Sequence, residues 1–314
     1  WPMLELQDVS KVYRIGTFGG RELHAVRDVT FQVAKGEVVS LIGESGSGKS
    51  TIGRMILRLI PITDGRILFN GEDVAALKGG GLKNYYRTVQ GVFQDPFSSY
   101  NPIFKADRIF QLVKDAFFPE ISGAAWADRI HEALESVGLN PGQVLNRFPH
   151  QLSGGQLQRL LIARALLLDV DFLVADEIIS MLDASTRIDV LNLLAGLQSR
   201  GLSILFITHD LSLGYYISQK SLILHQGTVV EMGSTVKIYA SPFHPYTRAL
   251  MASVPRLDKK WEEVEAEVTR NTRHLALPQG YTFFESAPGT DNGHAPHPEL
   301  VEVEPDHFVA CVRR

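Results

Sequence analysis

Gly43-Glu44-Ser45-Gly46-Ser47-Gly48-Lys49-Ser50-Thr51 has the residue types and spacing to hold a polyphosphate. Its glycines let the backbone curl so that successive N–H groups point inward as an anion nest, and a helix starting behind it adds its positive dipole end. In such a loop the Lys49 ammonium reaches β- and γ-phosphates, and the Ser50 hydroxyl can ligate Mg²⁺. The motif needs a strand before it and a helix after it. An apolar run (Val38, Val39, Leu41, Ile42) precedes it, and a helix-like segment from Thr51 to Leu59 follows. The alternative is a plain Gly/Ser turn, and the full motif with both flanks makes the phosphate reading the better one.

Other residues have chemistry that fits beside it. Phe172-Leu173-Val174-Ala175 is an apolar run ending in Asp176-Glu177, as expected of a buried parallel strand with acids at its tip. Asp176 can hold Mg²⁺ through water, and Glu177 can polarise an attacking water. A solvated acidic strand end is the bland reading, and the phosphate loop upstream weighs against it. Ser203 to Ile207 is another buried strand ending in Thr208-His209-Asp210, where the His209 imidazole can hydrogen-bond a γ-phosphate. Leu152-Ser153-Gly154-Gly155-Gln156 opens a helical stretch, Leu157 to Leu168, with Ser153 as a natural N-cap. That makes a second anion-binding helix start in one chain. Gln94 follows the strand Val89 to Phe93 and can place its amide near a nucleotide, and the ring of Tyr13 can stack on a purine. Taken singly, Gln94 and Tyr13 are weak signals.

The elements that must position these groups alternate between strand and helix. Leu4 to Val9 with Lys11 to Arg14, then Val29 to Val33, read as short strands joined by turns, including a Gly-rich one at Gly16, Gly19 and Gly20. They predict a small antiparallel sheet beside the main core. Gly65 to Phe69 with Asn70-Gly71 reads as a strand ending in a tight turn, and Lys78-Gly79-Gly80-Gly81 as a flexible surface loop. Phe104 to Phe118 and Ala124 to Val137 have helical spacing, a helical insert within an α/β protein. Ser185 to Leu197 is a further helix, and Leu222 to Leu224 with Val229 to Glu231 a closing hairpin. Past Ser241 the character changes, with an acidic, helix-like segment from Lys259 to Val268 and a loop-rich tail too short and polar for its own core.

Composition narrows the classes. The chain has 314 residues, 45% of them hydrophobic, and a formal net charge of −4, so no global field favours nucleic acid or anionic lipid. A lone cysteine, Cys311, excludes an internal disulfide and fits a reducing compartment. No apolar run approaches about 18 residues, the length expected of a membrane span. Trp1-Pro2-Met3 leads straight into a strand pattern, so no signal peptide is expected.

Tyr13, the phosphate loop, Gln94, Leu152 to Gln156, Asp176-Glu177, Asp183 and His209 stand in one order that resembles the ATP-binding subunits of ATP-binding-cassette (ABC) transporters. They match the A-loop, Walker A, Q-loop, signature, Walker B, D-loop and switch histidine of that family. Phe93-Gln94-Asp95-Pro96 with Ser99-Tyr100-Asn101-Pro102, Pro149-His150, and His244-Pro245-Tyr246-Thr247-Arg248-Ala249-Leu250 are similar to the oligopeptide/dipeptide importer subgroup, which also includes nickel and oligosaccharide importers. The resemblance implies an α/β fold: a P-loop NTPase (RecA-like) core with an antiparallel β subdomain and an inserted α-helical subdomain. It places the ATPase domain at residues 3–250, the helical insert at about 95–165, and an importer-type extension at 251–314.

It further implies ATP and Mg²⁺, with Lys49 and Ser50 of one subunit sharing a nucleotide with Ser153 and Gly155 of another while Asp183 crosses the interface. Glu177 would be the general base, His209 the γ-phosphate sensor, and Gln94 a Mg²⁺ and water contact. Partners would be two membrane-spanning permease subunits, a second ATPase subunit (the same chain or a paralogue) and, indirectly, an extracytoplasmic solute-binding protein. The place of work would be the cytoplasmic face of the membrane, with no nucleic acid. The chain departs from the family in three places. Ile178-Ile179 replace the usual residues after the base, which could alter the turn carrying it. Leu157 removes a charge near the interface. The tail segment Pro305 to Cys311 has one cysteine where relatives carry a cluster of them, so no iron–sulfur centre is expected. The rival readings are a soluble ABC ATPase acting on nucleic acid or ribosomes, and a non-enzymatic partner with a degenerate site. A single cassette without long charged heptads disfavours the first, and intact Lys49, Gly155, Glu177 and His209 disfavour the second.

Overall fold

The computed structural model describes residues 2–16, 21–253, 269–272, 274–285 and 298–313. The acidic segment from Lys259 to Val268, and Gly19-Gly20 of the first turn, lie outside the described residues. The chain divides into two compact units, one of residues 1–76 with 206–314 and one of residues 77–205.

The first unit opens with two long strands, β1 (Pro2–Ile15) and β2 (Arg21–Ala34), where the sequence suggested short ones. Both stay in one antiparallel ladder because register shifts along β1 absorb the mismatch, and Asp8 and Asp28 take up the left-handed backbone (φ 47 and 44) there. Then come β3 (Val38–Ile42), α1 (Lys49–Ile56), β4 (Asp64–Phe69) and β5 (Glu72–Asp73). Asn70 and Gly71 both have positive φ, as a two-residue hairpin turn requires, and the antiparallel order is β2-β1-β4-β5.

The second unit contains α2 (Gly79–Thr88), β6 (Val89–Val92), α3 (Arg108–Phe117), α4 (Gly123–Ser136), α5 (Pro141–Val144), α6 (Gly154–Leu166), β7 (Phe172–Asp176) and α7 (Ala184–Gln198). Strands β6 and β7 pair in parallel. The triple glycine read as a surface loop is instead the first turn of α2, with Lys78 at its N-cap. First-turn N–H groups need no partner within the helix, so glycine is tolerated there, and Tyr85, 2% exposed, anchors the helix. The first insert helix starts at Arg108 rather than Phe104, because Pro102 and the turns after it delay the helical run.

Strand β8 (Ser203–Thr208) carries the chain back to the first unit, where α8 (Leu211–Ile217), β9 (Lys220–His225), β10 (Thr228–Ser234), α9 (Thr235–Ala240) and α10 (Pro245–Ala252) follow. The tail adds β11 (Tyr281–Phe283), β12 (Glu299–Glu304) and β13 (His307–Arg313). In this unit β3 pairs in parallel with β9, β9 antiparallel with β10, and β10 antiparallel with β13, which also carries β11 and β12. The tail therefore builds no separate core. Its Val309 and Cys311 pack with Phe243 and Leu275, while Ala310 joins Ile42, Ile223 and Val230.

All five residues of β3 are buried, each large apolar side chain worth about 1.5–3 kcal/mol of transfer free energy. Its one polar residue, Ser40, is satisfied inside the sheet: its Oγ lies 2.9 Å from those of Ser218 and Ser221, and Ser221 Oγ lies 2.8 Å from Thr235 Oγ1. Helix α8 crosses β3 closely at Gly214, where an added Cβ would sit 2.6 Å from Ile42 Cδ1. A strand fixed on all sides delivers the chain into the phosphate loop.

Candidate nucleotide-binding site

In the first unit Gly43–Thr51 leaves the end of β3 and enters α1. Gly46 and Gly48 have φ of 81° and 105°, the left-handed region that turns the loop's N–H groups inward. Gly43 is pressed against the Leu224 carbonyl and Gly48 against the Ala25 carbonyl, so an added Cβ would collide at either. Lys49 is 4% exposed, and its Nζ donates to the Gly43 and Glu44 carbonyls at 2.8 Å each. The loop is pinned from behind by Gly227 N–H donating to the Ser47 carbonyl at 2.9 Å. Helix α1 has no side-chain cap, and the buried Ser47 Oγ has no hydrogen-bond partner among the described residues. An uncapped helix start, an unsatisfied buried hydroxyl and a buried ammonium anchored at the loop's own carbonyls form a donor set that suits a polyphosphate.

Tyr13 pairs with Leu23 in the β1–β2 ladder, two residues along β2 from the Ala25 that touches Gly48. Its ring is half-buried, with Lys11 Nζ 5.1 Å from the centroid. His209 is exposed just after β8, and Asp210 caps α8 by accepting from Ser212 N at 2.8 Å.

In the second unit Asp176 ends β7 and is 6% exposed. Glu177 follows with φ 49, a left-handed backbone unusual for a glutamate, and its carbonyl accepts from Ser180 N and Oγ at 3.1 and 2.9 Å. Ile178 and Ile179, 1% and 2% exposed, are the apolar pins of this turn. Ser153 caps α6 in a reciprocal box: Gln156 N donates to Ser153 Oγ at 3.2 Å, and Ser153 N to Gln156 Oε1 at 2.9 Å. Gly154 and Gly155 form the first turn behind that cap, and Gly155 is packed against α7, where an added Cβ would be 2.6 Å from Thr186 Cγ2. Asp183 caps α7, and hydrogen bonds from Ser185 Oγ (2.6 Å), then Thr186 N (3.0 Å) and Oγ1 (2.8 Å), hold its carboxyl well below the usual range. Gln94 is exposed two residues past β6.

Leu157 is fully buried, on the inner face of α6 with Leu160 and Leu161. Sequence reasoning missed the residues that tie α6 to the Gln94 segment. Gln158 Nε2 donates to the Phe93 carbonyl at 3.3 Å, and Arg164 donates to Gln90 Oε1 and the Gly91 carbonyl at 3.2 and 3.0 Å. Burial holds the Arg164 guanidinium below its ordinary pKa. Tyr100 Oη donates to the Leu157 carbonyl at 3.0 Å, and burial pushes its phenol up. The available signal was a Gln and an Arg placed among the apolar residues of a helix buried on most sides.

With this geometry established, comparisons with known proteins are decisive. The ABC transporter family matches residues 26–180, and the C-terminal region of oligopeptide/dipeptide transporters matches residues 230–290. A putative peptide import ATP-binding protein of Brucella ovis is 42% identical over 317 aligned positions, covering 99% of this chain and 98% of that protein. The chain belongs to the ATP-binding subunits of ABC transporters. Among these subunits, the oligopeptide transport ATP-binding protein OppF of Bacillus subtilis is 41% identical over 289 positions, covering 91% of this chain and 90% of OppF. A dimeric structure of the ATP-binding cassette MJ0796 in a post-hydrolysis state with ADP and Pi superposes with a TM-score of 0.66 at 29% identity, covering 74% of this chain and 99% of that one. The fold is that of the ABC ATPase cassettes.

Proposed function

We propose that this ABC subunit hydrolyses ATP to power a peptide importer, with oligosaccharides and nickel as other cargoes of the subgroup. It works at the cytoplasmic face of the membrane beneath two membrane-spanning permease subunits. The observation that carries this reading is an intact phosphate loop in a chain whose residues 230–290 match the oligopeptide/dipeptide C-terminal region. No helix among the described residues is long and apolar enough to cross a membrane, which suits a subunit docked on others that do.

In this reading ATP is the substrate. Lys49 and the inward-facing N–H groups of the loop between Gly43 and Thr51 bind its phosphates, and Tyr13 stacks on its base. Ser50, Gln94 and, through water, Asp176 are the groups that would hold Mg²⁺, which supplies charge neutralisation on the phosphate oxygens. Glu177 takes a proton from water as the water oxygen bonds the γ-phosphorus and the bond to the bridging oxygen breaks. His209 hydrogen-bonds the γ-phosphate. Ser153, Gly154, Gly155 and Gln156 offer a second anion-binding helix start to the nucleotide of a partner ATPase, with Asp183 at the same interface, so two subunits close head to tail. An extracytoplasmic binding protein reads the cargo.

Glu177→Gln tests the chemistry. ATP-dependent dimers should form while turnover falls by about 10²–10⁴-fold, the range of a general base. Unchanged turnover would remove Glu177 from that role. A pull-down from gently solubilised membranes tests the transport role. Two polytopic proteins are expected, and recovery of ribosomal or nucleic-acid complexes alone would overturn transport while leaving the ATPase chemistry.

A further inference from the structure

None of the nucleotide-holding groups above comes from the C-terminal region, yet one of its side chains touches the phosphate loop. Tyr246, near the start of α10, accepts a hydrogen bond at its hydroxyl from the Glu44 N–H at 3.4 Å. The peptide segment it holds also anchors the lysine, since the Gly43 and Glu44 carbonyls both accept from Lys49 Nζ at 2.8 Å. The Tyr246 ring lies against the imidazole of His225, centroids 3.9 Å apart at 30°, and His225 ends β9, the strand paired with β3. Its ring is thereby seated on the same strand pair that launches the loop.

The backbone of Tyr246 is fixed with equal care. Its N–H donates to His244 Nδ1 at 3.1 Å, which leaves His244 Nε2 to donate to the Phe284 carbonyl at 2.9 Å. The Phe243 and His244 N–H groups donate to the buried carboxylate of Glu231 at 2.8 and 3.0 Å, and the same carboxylate accepts from His307 Nε2 of β13 at 2.6 Å. A continuous set of hydrogen bonds thus runs from the tail strand to the loop.

We propose that Tyr246 is a positioning residue for ATP: by holding the Glu44 peptide it keeps the first turn of the phosphate loop, and with it the carbonyls that aim Lys49, in the receiving shape. This rests on the reading that the loop binds ATP. Without the hydroxyl the loop must be ordered at the moment of binding, which weakens affinity without touching the reacting atoms.

The test compares the full chain with Tyr246→Phe, which removes only the hydroxyl. Calorimetric titration with Mg-ATP should give about threefold weaker binding, the scale of one modest hydrogen bond. The same factor should appear in KM for ATP and not in kcat. In the nucleotide-free chain, faster amide hydrogen exchange should be confined to the loop around residues 43–48. Wild-type affinity and wild-type exchange in Tyr246→Phe would overturn the proposal alone. Faster exchange spread through α10 and β9 would also overturn it, assigning the hydroxyl to packing. A wild-type chain that binds no ATP would overturn the functional reading, and the proposal with it.

Discussion

Replacing His307 with leucine should unfasten β13 from β10. The His307 side chain is fully buried between two carboxylates, with Nε2 2.6 Å from Glu231 Oε1 and Nδ1 3.0 Å from Glu304 Oε1. With a carboxylate facing each ring nitrogen, the environment favours the imidazolium, which can donate to both. Burial alone would lower its pKa, but hydrogen bonds and charge from Glu231, then Glu304, outweigh it and the pKa is raised. Removing one partner of a buried ion pair costs about 3–5 kcal/mol, because the other charge is left behind. Glu231 keeps two backbone donors, Phe243 N and His244 N, which places the loss near the lower end, about 3 kcal/mol. That corresponds to about a hundredfold rise in local opening, read as faster hydrogen exchange of the β13 amides in His307→Leu. The double variant Glu231→Gln with His307→Leu removes both charges and keeps one amide oxygen for the Phe243 and His244 N–H groups, so it should recover part of the protection. Because the folded pKa is raised, the ion pair's contribution is complete below the pKa of an unfolded histidine, about 6.5, and is lost as pH rises through the folded value. Protection of β13, corrected for the intrinsic pH dependence of exchange, should fall over that window in the wild type and stay flat in the variant. Exchange in His307→Leu within threefold of wild type would refute the reasoning.

Gly155→Ala should weaken ATP-dependent dimer formation, measured by gel filtration with Glu177→Gln in the background, since the new Cβ would be 2.6 Å from Thr186 Cγ2 and overpacking costs about 1–3 kcal/mol. Adding Thr186→Ser removes the methyl it meets and should restore part of the yield. Cys311 is buried in β13 with its thiol pKa pushed up by burial to about 11, so a thiol reagent at pH 8 should label it slowly in the native chain and faster in His307→Leu.

The features legible in the sequence were those whose signal is local. The phosphate loop was readable because its glycines, lysine and serine act through their own backbone and neighbours. The Ser153 cap was readable because N-capping is settled within four residues, and the observed box with Gln156 has that span. The burial of Leu157 was not legible, because a helical position says nothing of which face is buried until its neighbours are placed. The triple glycine at 79–81 was misread because packing of Tyr85 outweighs glycine's poor helix propensity. Gln158 and Arg164 escaped notice, as did the tie from Tyr100 to α6, because their partners lie far along the chain and are mostly backbone carbonyls, which no residue type announces. The tail was hardest of all. Its strand β13 is anchored through Glu231, a glutamate that in sequence looks like any polar residue closing a hairpin, and in the structure is fully buried.

That anchoring has a consequence for the order in which the protein is made. Strand β10 leaves the ribosome well before β13, so the nascent cassette holds Glu231 without its histidine and an open row of backbone donors and acceptors from Glu231 to Gly233. Until β13 arrives, that edge is a template for a neighbouring nascent chain, as it would be in any chain cut short after α10. Strand β13 is therefore a late stitch relative to β10, and termination before it should send the product to aggregates and proteases rather than leave a working cassette.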